Sequence, residues 1–199
     1  MHIKFLKLYY FIKEFEKSII DKQSKNTAII YRNYKKNYKI SEIISIRDYC
    51  RKKNIKFYLS NNIKLSINLN LDGAYLPSFN ESLVHLNYNF KKNFVLIGSA
   101  HNLKEIRVKE RQKVKEIFLS SLFKDNGNFL GLYKFNILSN YSKKNIVALG
   151  GISKENINLI NLTKSIGFAG ISYFKQKKRP LKRGPFIKYL LLIKMQIRS

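Results

Sequence analysis

Short apolar runs rich in strand-forming residues recur along this chain, with helix-compatible stretches between them. Leu6-Lys7-Leu8-Tyr9-Tyr10-Phe11-Ile12, Thr27-Ala28-Ile29-Ile30-Tyr31-Arg32, Ile55-Lys56-Phe57-Tyr58-Leu59 and Asp72-Gly73-Ala74-Tyr75-Leu76-Pro77 read as the first four strands. Phe94-Val95-Leu96-Ile97-Gly98-Ser99, Ile117 to Phe123, Ile146 to Ile152 and Gly167 to Phe174 read as the next four. Between them, Ile40, Ile43, Ile44 and Ile46 stand at helical spacing, a short helix runs through Leu65 and Ile67, and Leu103 to Lys113 is a charged surface helix opening at Asn102. Phe186 to Ile197 reads as a closing helix. Strand alternating with helix eight times implies an α/β fold with a parallel sheet, and the count favours closure into a (β/α)₈ TIM barrel. The G-x-G-x-x-G fingerprint of dinucleotide folds is absent after the first strand. The expectation is a small single-domain barrel over 1–199, with a sizeable core from a 45% hydrophobic composition.

The formal net charge is +27, from 39 Lys and Arg against 12 Asp and Glu. A balance so basic suggests a polyanion partner. The lysines are scattered along the whole chain, however, and Asn, Ile, Phe and Tyr are abundant as well, the mix that an AT-rich genome imposes. The charge therefore reads as a solvated lysine surface. A basic nucleic-acid- or membrane-surface-binding protein is the outlying alternative, resting on Lys175 to Arg183 and the closing helix.

Cys50 is the single cysteine, so neither an internal disulfide nor a thiolate metal cluster is available. No signal peptide and no apolar run of about 18 residues is apparent, which gives the expectation of a cytoplasmic protein without a transmembrane segment. His2 lies at the terminus and His85 is expected in a surface segment, so a three-histidine metal site is not expected.

The last two strand ends are the candidate ligand site. Ile146-Val147-Ala148-Leu149-Gly150-Gly151-Ile152 closes on paired glycines, and Gly167 to Phe174 is followed by Lys175. Glycines let backbone N–H groups approach a phosphate, and barrels keep phosphate sites in the loops after strands seven and eight. The alternative is a buried strand with a glycine turn and no ligand.

The order of motifs resembles the thiamine-phosphate synthase / thiazole tautomerase family. Asp72-Gly73-Ala74-Tyr75-Leu76 is similar to the family's Asp-Gly-Val-His-Leu, Ser99-Ala100-His101 to its Ser-x-His, and Ala148-Leu149-Gly150-Gly151-Ile152 to its Ala-Ile-Gly-Gly-Ile. The resemblance runs from Leu8 to Phe174. It implies a (β/α)₈ barrel that joins a hydroxymethylpyrimidine diphosphate to a thiazole phosphate, releasing pyrophosphate with the help of Mg²⁺. Small phosphorylated substrates are the implied partners, and a homodimer is compatible with a barrel of this size.

By the same resemblance, Arg32 contacts pyrophosphate, the following lysine position falls on Tyr34, and Lys35 and Lys36 come next. Ser60-Asn61-Asn62 stands where the family has Asn-Asp-Arg, so the first magnesium aspartate is Asn61; the second is Asn80, beside Glu81. Ser99 matches the serine on strand five, and Lys124 is the cation nearest the segment after strand six. Gly150 and Gly151, with the N–H groups of Phe174 and Lys175, hold the thiazole phosphate. The tautomerase's histidine position is occupied by Ser121, and His101 reads as a structural hydrogen-bonder. Asparagine carries no charge, so Asn61 and Asn80 are weak ligands for Mg²⁺. Two functions therefore stand close: a synthase with a rewired pyrophosphate end, in which Arg32, Lys35 and Lys124 supply positive charge, and a catalytically lapsed member that binds a phosphorylated thiazole or thiamine phosphate.

Overall fold

The computed structural model describes residues 7–34 and 39–175. Lys35, Lys36, most of the basic segment at 175–183 and the expected closing helix lie outside the described residues.

Among the described residues, eight parallel strands close into a barrel in sequence order. The elements are β1 (Lys7–Ile12), α1 (Lys17–Asp21), β2 (Thr27–Tyr31), α2 (Ile40–Lys52), β3 (Phe57–Ser60), α3 (Ile63–Asn68), β4 (Gly73–Leu76) and a 3₁₀ segment (Val84–Asn87). They continue with β5 (Val95–Ala100), α4 (Leu103–Arg111), β6 (Glu116–Leu119), α5 (Gly131–Tyr141), β7 (Asn145–Leu149), a second 3₁₀ segment (Ile157–Leu162), β8 (Gly167–Gly170) and α6 (Ser172–Lys175). The ring shuts where β8 pairs with β1, Tyr10 opposite Gly170. No described helix is long and apolar enough to cross a membrane.

The two-residue pleat sorts the strand side chains between two cores. Tyr9, Phe11, Ala28, Ile30, Tyr58, Tyr75, Ile97, Phe118, Val147 and Ala169 form the barrel interior. Their neighbours along the strands face the helices, for example Tyr10 and Ile29 against Ile43 and Ile46, and Ile117 and Ile146 against Ile106 and Phe135. Strands of only four to six residues leave few inward positions, and aromatic rings fill them. Phe118 lies 4.7 Å from Tyr9 and 5.6 Å from Tyr75, while Tyr75 meets Phe11 edge-on at 5.3 Å. The interior is thus a solid floor, and the loops after the strand ends stand above it.

Three strands end earlier than their apolar runs. β6 stops at Leu119; Leu122 and Phe123 then donate N–H bonds to Leu149 and Gly150 carbonyls, both 2.9 Å, binding the rim segments together. β7 stops at Leu149 because Gly150 and Gly151 turn at φ +100° and +73°. β8 stops at Gly170, and Tyr173 and Phe174 belong to α6, their rings packed on Phe168. His85 corrects the expectation of a surface position. The 3₁₀ turn tucks it under the loop, where it is buried with Nε2 3.0 Å from the Gln112 carbonyl.

Candidate functional site

All eight strands are parallel, so everything that follows a strand end gathers on one rim. That rim carries Arg32 and Tyr34 after β2, Ser60 and Asn61 at the end of β3, Asn80 after β4, Lys124 after β6, the Gly150–Gly151 turn after β7 and Lys175 after β8. Ser99 faces it from β5, with Ala100 closing that strand.

The glycine turn is fixed by close packing. A Cβ on Gly150 would overlap the Ser121 side chain, and one on Gly151 would run into the Phe123–Lys124 backbone. Positive φ and this closeness each call for glycine. Asn156 braces the turn, donating Nδ2–H to the Gly151 carbonyl (2.9 Å) and accepting from the Ser153 N–H (2.9 Å). Gly151 is exposed, and its N–H has no acceptor among the described residues. Lys124 lies against Gly151 through its backbone, with its side chain in solvent. The Lys175 N–H donates to the Ile171 carbonyl at 3.1 Å, inside α6, and the Phe174 ring packs 5.0 Å from Tyr10.

On the opposite side of the mouth, the Arg32 guanidinium sits 4.6 Å above the Phe11 ring. Ser60 donates its hydroxyl to the Tyr34 phenol at 3.3 Å, and Tyr34 meets Phe79 edge-on at 5.5 Å. Both rings are more than half exposed. Ser99 is buried and hydrogen-bonds the Tyr75 phenol, whose pKa burial raises. His101 bonds Glu105 through Nδ1 at 2.9 Å, a structural pairing as expected, and Glu105 also closes the α4 cap with Asn102.

Asn61 and Asn80 come together directly: Asn80 Nδ2 donates to Asn61 Oδ1 at 2.7 Å. The Asn80 oxygen is itself taken, accepting from the Ser82 N–H at 3.0 Å and from Gln112 Nε2 at 3.3 Å. Beneath this loop lies Lys109, a fully buried lysine whose ammonium donates to the Pro77 carbonyl (2.7 Å), the Asn80 carbonyl (2.7 Å) and Gln112 Oε1 (2.9 Å). Desolvation pulls its pKa down to about 8, against the opposing pull of the Glu105 and Glu81 carboxylates. Sequence reading passed over Lys109 and Gln112. Lys109 stands three residues from Ile106, the available sign that it lies on the inner face of α4, and Gln112 is the residue that caps the helix.

Comparison with known proteins decides the family. The thiamine monophosphate synthase family model matches residues 14–174. This chain belongs to that family. The family and fold support a role related to thiamine biosynthesis. An Aquifex aeolicus protein named "Putative thiamine-phosphate synthase 2" is 28% identical over 143 residues, 69% of this chain and 74% of that one. Among solved structures, thiamine phosphate pyrophosphorylase from Pyrococcus furiosus superposes with a TM-score of 0.69 at 23% identity, over 83% of this chain and 85% of that one. The thiamine phosphate pyrophosphorylase from Bacteroides thetaiotaomicron gives 0.56 at 14% identity, over 94% and 92%. At these identities both structures establish the fold alone.

Family membership raises the question of Mg²⁺, and the residues present do not fit it. Mg²⁺ takes hard, charged oxygens. Here the two positions that the resemblance assigns to the ion are neutral amides bonded to each other, and the cation at Asn80 is an ammonium. Among the described residues no group of three or more His, Cys, Asp or Glu could hold a metal ion.

Proposed function

We propose that this member of the thiamine monophosphate synthase family binds a phosphorylated heterocycle, thiazole phosphate or thiamine phosphate, and does so without magnesium. The phosphate lies against the Gly151 N–H, with the Lys124 ammonium as the mobile counter-charge. The observation that carries the reading is the Asn61–Asn80 hydrogen bond on one side of the mouth together with an intact glycine turn on the other. One half of the mouth suits a monophosphate, and the half that would take a magnesium diphosphate offers amides, rings and the Arg32 guanidinium but no carboxylate pair. Titration calorimetry with thiamine phosphate and thiazole phosphate tests it. Binding heat that EDTA leaves unchanged is expected, and no heat from either ligand overturns it.

A second reading keeps the synthase reaction. Arg32 favours it, because the Phe11 ring holds a permanent cation at the mouth. In that reaction the pyrimidine's carbon–oxygen bond breaks, pyrophosphate leaves with the bonding pair, and the thiazole nitrogen forms the new carbon–nitrogen bond. Arg32 and Lys124 would take the charge of the leaving pyrophosphate. Incubation with both substrates, followed by oxidation of thiamine phosphate to a fluorescent product, decides between the readings. Product above background, abolished by Arg32→Ala, establishes the synthase.

A further inference from the structure

We infer that Lys109 is a positioning residue whose buried ammonium organises from beneath the loop bearing Asn80, the task a divalent cation would perform from the mouth side if Asn61 and Asn80 were carboxylates. The inference rests on the proposed mouth for its meaning, and its main readout needs no ligand.

A buried ammonium is costly unless each N–H finds an acceptor. Lys109 has three N–H bonds and three oxygens, none of them a carboxylate's. Two of those oxygens, from Pro77 and Asn80, bracket one turn, itself closed by the Asn80 N–H to the Pro77 carbonyl at 3.1 Å. The ammonium therefore gathers the carbonyls of the loop from beneath, as a cation does.

Gln112 carries that order to the side chain. It accepts from Lys109 and donates to the Asn80 carbonyl (3.0 Å), the Ser82 carbonyl (2.9 Å) and Asn80 Oδ1 (3.3 Å). Asn80 is left with its Nδ2 directed at Asn61. Asn61 is fixed in turn, at φ +59° with its N–H on the Tyr75 carbonyl (2.8 Å). The strand below makes room for the lysine: a Cβ on Gly98 would collide with the Lys109 stem. One continuous chain of hydrogen bonds thus runs from a buried positive charge to the two mouth amides.

The test exchanges one cation for the other. Hydrogen exchange of the 77–82 peptide is followed in the wild-type protein, in Lys109→Met, in Asn61→Asp/Asn80→Asp, and in the triple variant, each with EDTA or with Mg²⁺. Wild-type protection is expected to ignore EDTA. Lys109→Met is expected to exchange at least about fivefold faster in this peptide, the factor for one hydrogen bond of ordinary net strength. In the triple variant, Mg²⁺ is expected to restore protection. A purely structural lysine gives no such rescue. Gln112→Leu, which keeps the ammonium, covers the case in which Lys109→Met does not fold, and it too is expected to loosen the peptide. Wild-type protection lost in EDTA overturns the inference, as does unchanged protection in Lys109→Met or Gln112→Leu, or a triple variant indifferent to Mg²⁺. A rescued loop in a protein that gives no heat with thiamine phosphate upholds the clamp and overturns the proposed ligand instead.

Discussion

At Gly151 two separate physical demands meet, a positive φ and a neighbour with no room for a Cβ. Gly151→Ala therefore strains the turn by about 1–2 kcal/mol and displaces the N–H assigned to phosphate. Calorimetry should show thiamine phosphate affinity down by about tenfold or more, the factor for about 1.4 kcal/mol. Lys109 gives a second expectation, in pH. Folded, it releases its proton near 8; unfolded, a lysine holds it to about 10.4. Between those values the unfolded chain binds more protons, so this group's contribution to stability rises with pH and is flat below the window. Urea midpoints at about pH 7.5 and 9.5 check it as the difference between wild type and Lys109→Met, because the buried Cys50 thiol, held above its ordinary value of about 8.5, pulls stability down over the same window. The window stops there because the buried Tyr9, Tyr58 and Tyr75 phenols, all with raised pKa, act in the opposite direction near the ordinary tyrosine value of about 10. Cys50 is fully buried and its thiol is pushed up to about 12, so it should resist alkylation until the barrel opens and then report global unfolding.

Elements show where sequence alone was enough. Strands such as Thr27–Tyr31 were legible because an apolar run bounded by polar residues has one place in an alternating chain. The ends of β6 and β8 were not legible, because Leu122, Phe123, Tyr173 and Phe174 are as apolar as the ladder residues before them. They spend that apolarity on rim packing, which a run of letters does not distinguish from strand. α5 lies outside the expected elements although its sequence carries the sign, Leu132, Phe135 and Leu138 standing three apart on one face. Motif order pointed to Arg32, Asn61, Asn80 and Gly151, which strand ends bring to one rim, whereas the Asn61–Asn80 bond joins residues 19 apart and the Lys109 contacts span 29 and 32. Pairings at that range come from barrel closure. The interior makes the sharpest element-scale prediction. Phe118 on β6 touches rings from both β1 and β4, so Phe118→Ala opens a cavity that no single strand can refill. A loss of about 3–5 kcal/mol is expected in urea unfolding, and a loss below about 1 kcal/mol would mean the aromatic floor repacks freely.

For the molecule as a whole, charge sets the largest unbalanced term. Twelve acidic residues face 39 basic ones, and most ion pairs among the described residues, such as Lys53 with Asp21 and Lys56 with Asp72, are partly exposed and individually weak, the buried Glu116 carboxylate against Lys7 being the exception. A compact body with a net charge of +27 repels itself, and that repulsion favours the expanded chain. Salt acts on the repulsion at long range and on the pairs at short range. Screening shortens the Debye length from about 30 Å at 0.01 M to about 8 Å at 0.15 M, so lysines across the barrel cease to feel one another while contacts of 2.8 Å persist. The melting temperature should therefore climb steadily with NaCl over that range, with most of the gain complete by its upper end. Sodium chloride and potassium chloride should act alike, because screening depends on ionic strength. A melting temperature that falls with salt would mean the ion pairs outweigh the repulsion. One that rises with phosphate or sulfate but not with chloride would instead mark an anion held at a particular place, and the Gly150–Gly151 rim would be the first position to examine by Gly151→Ala.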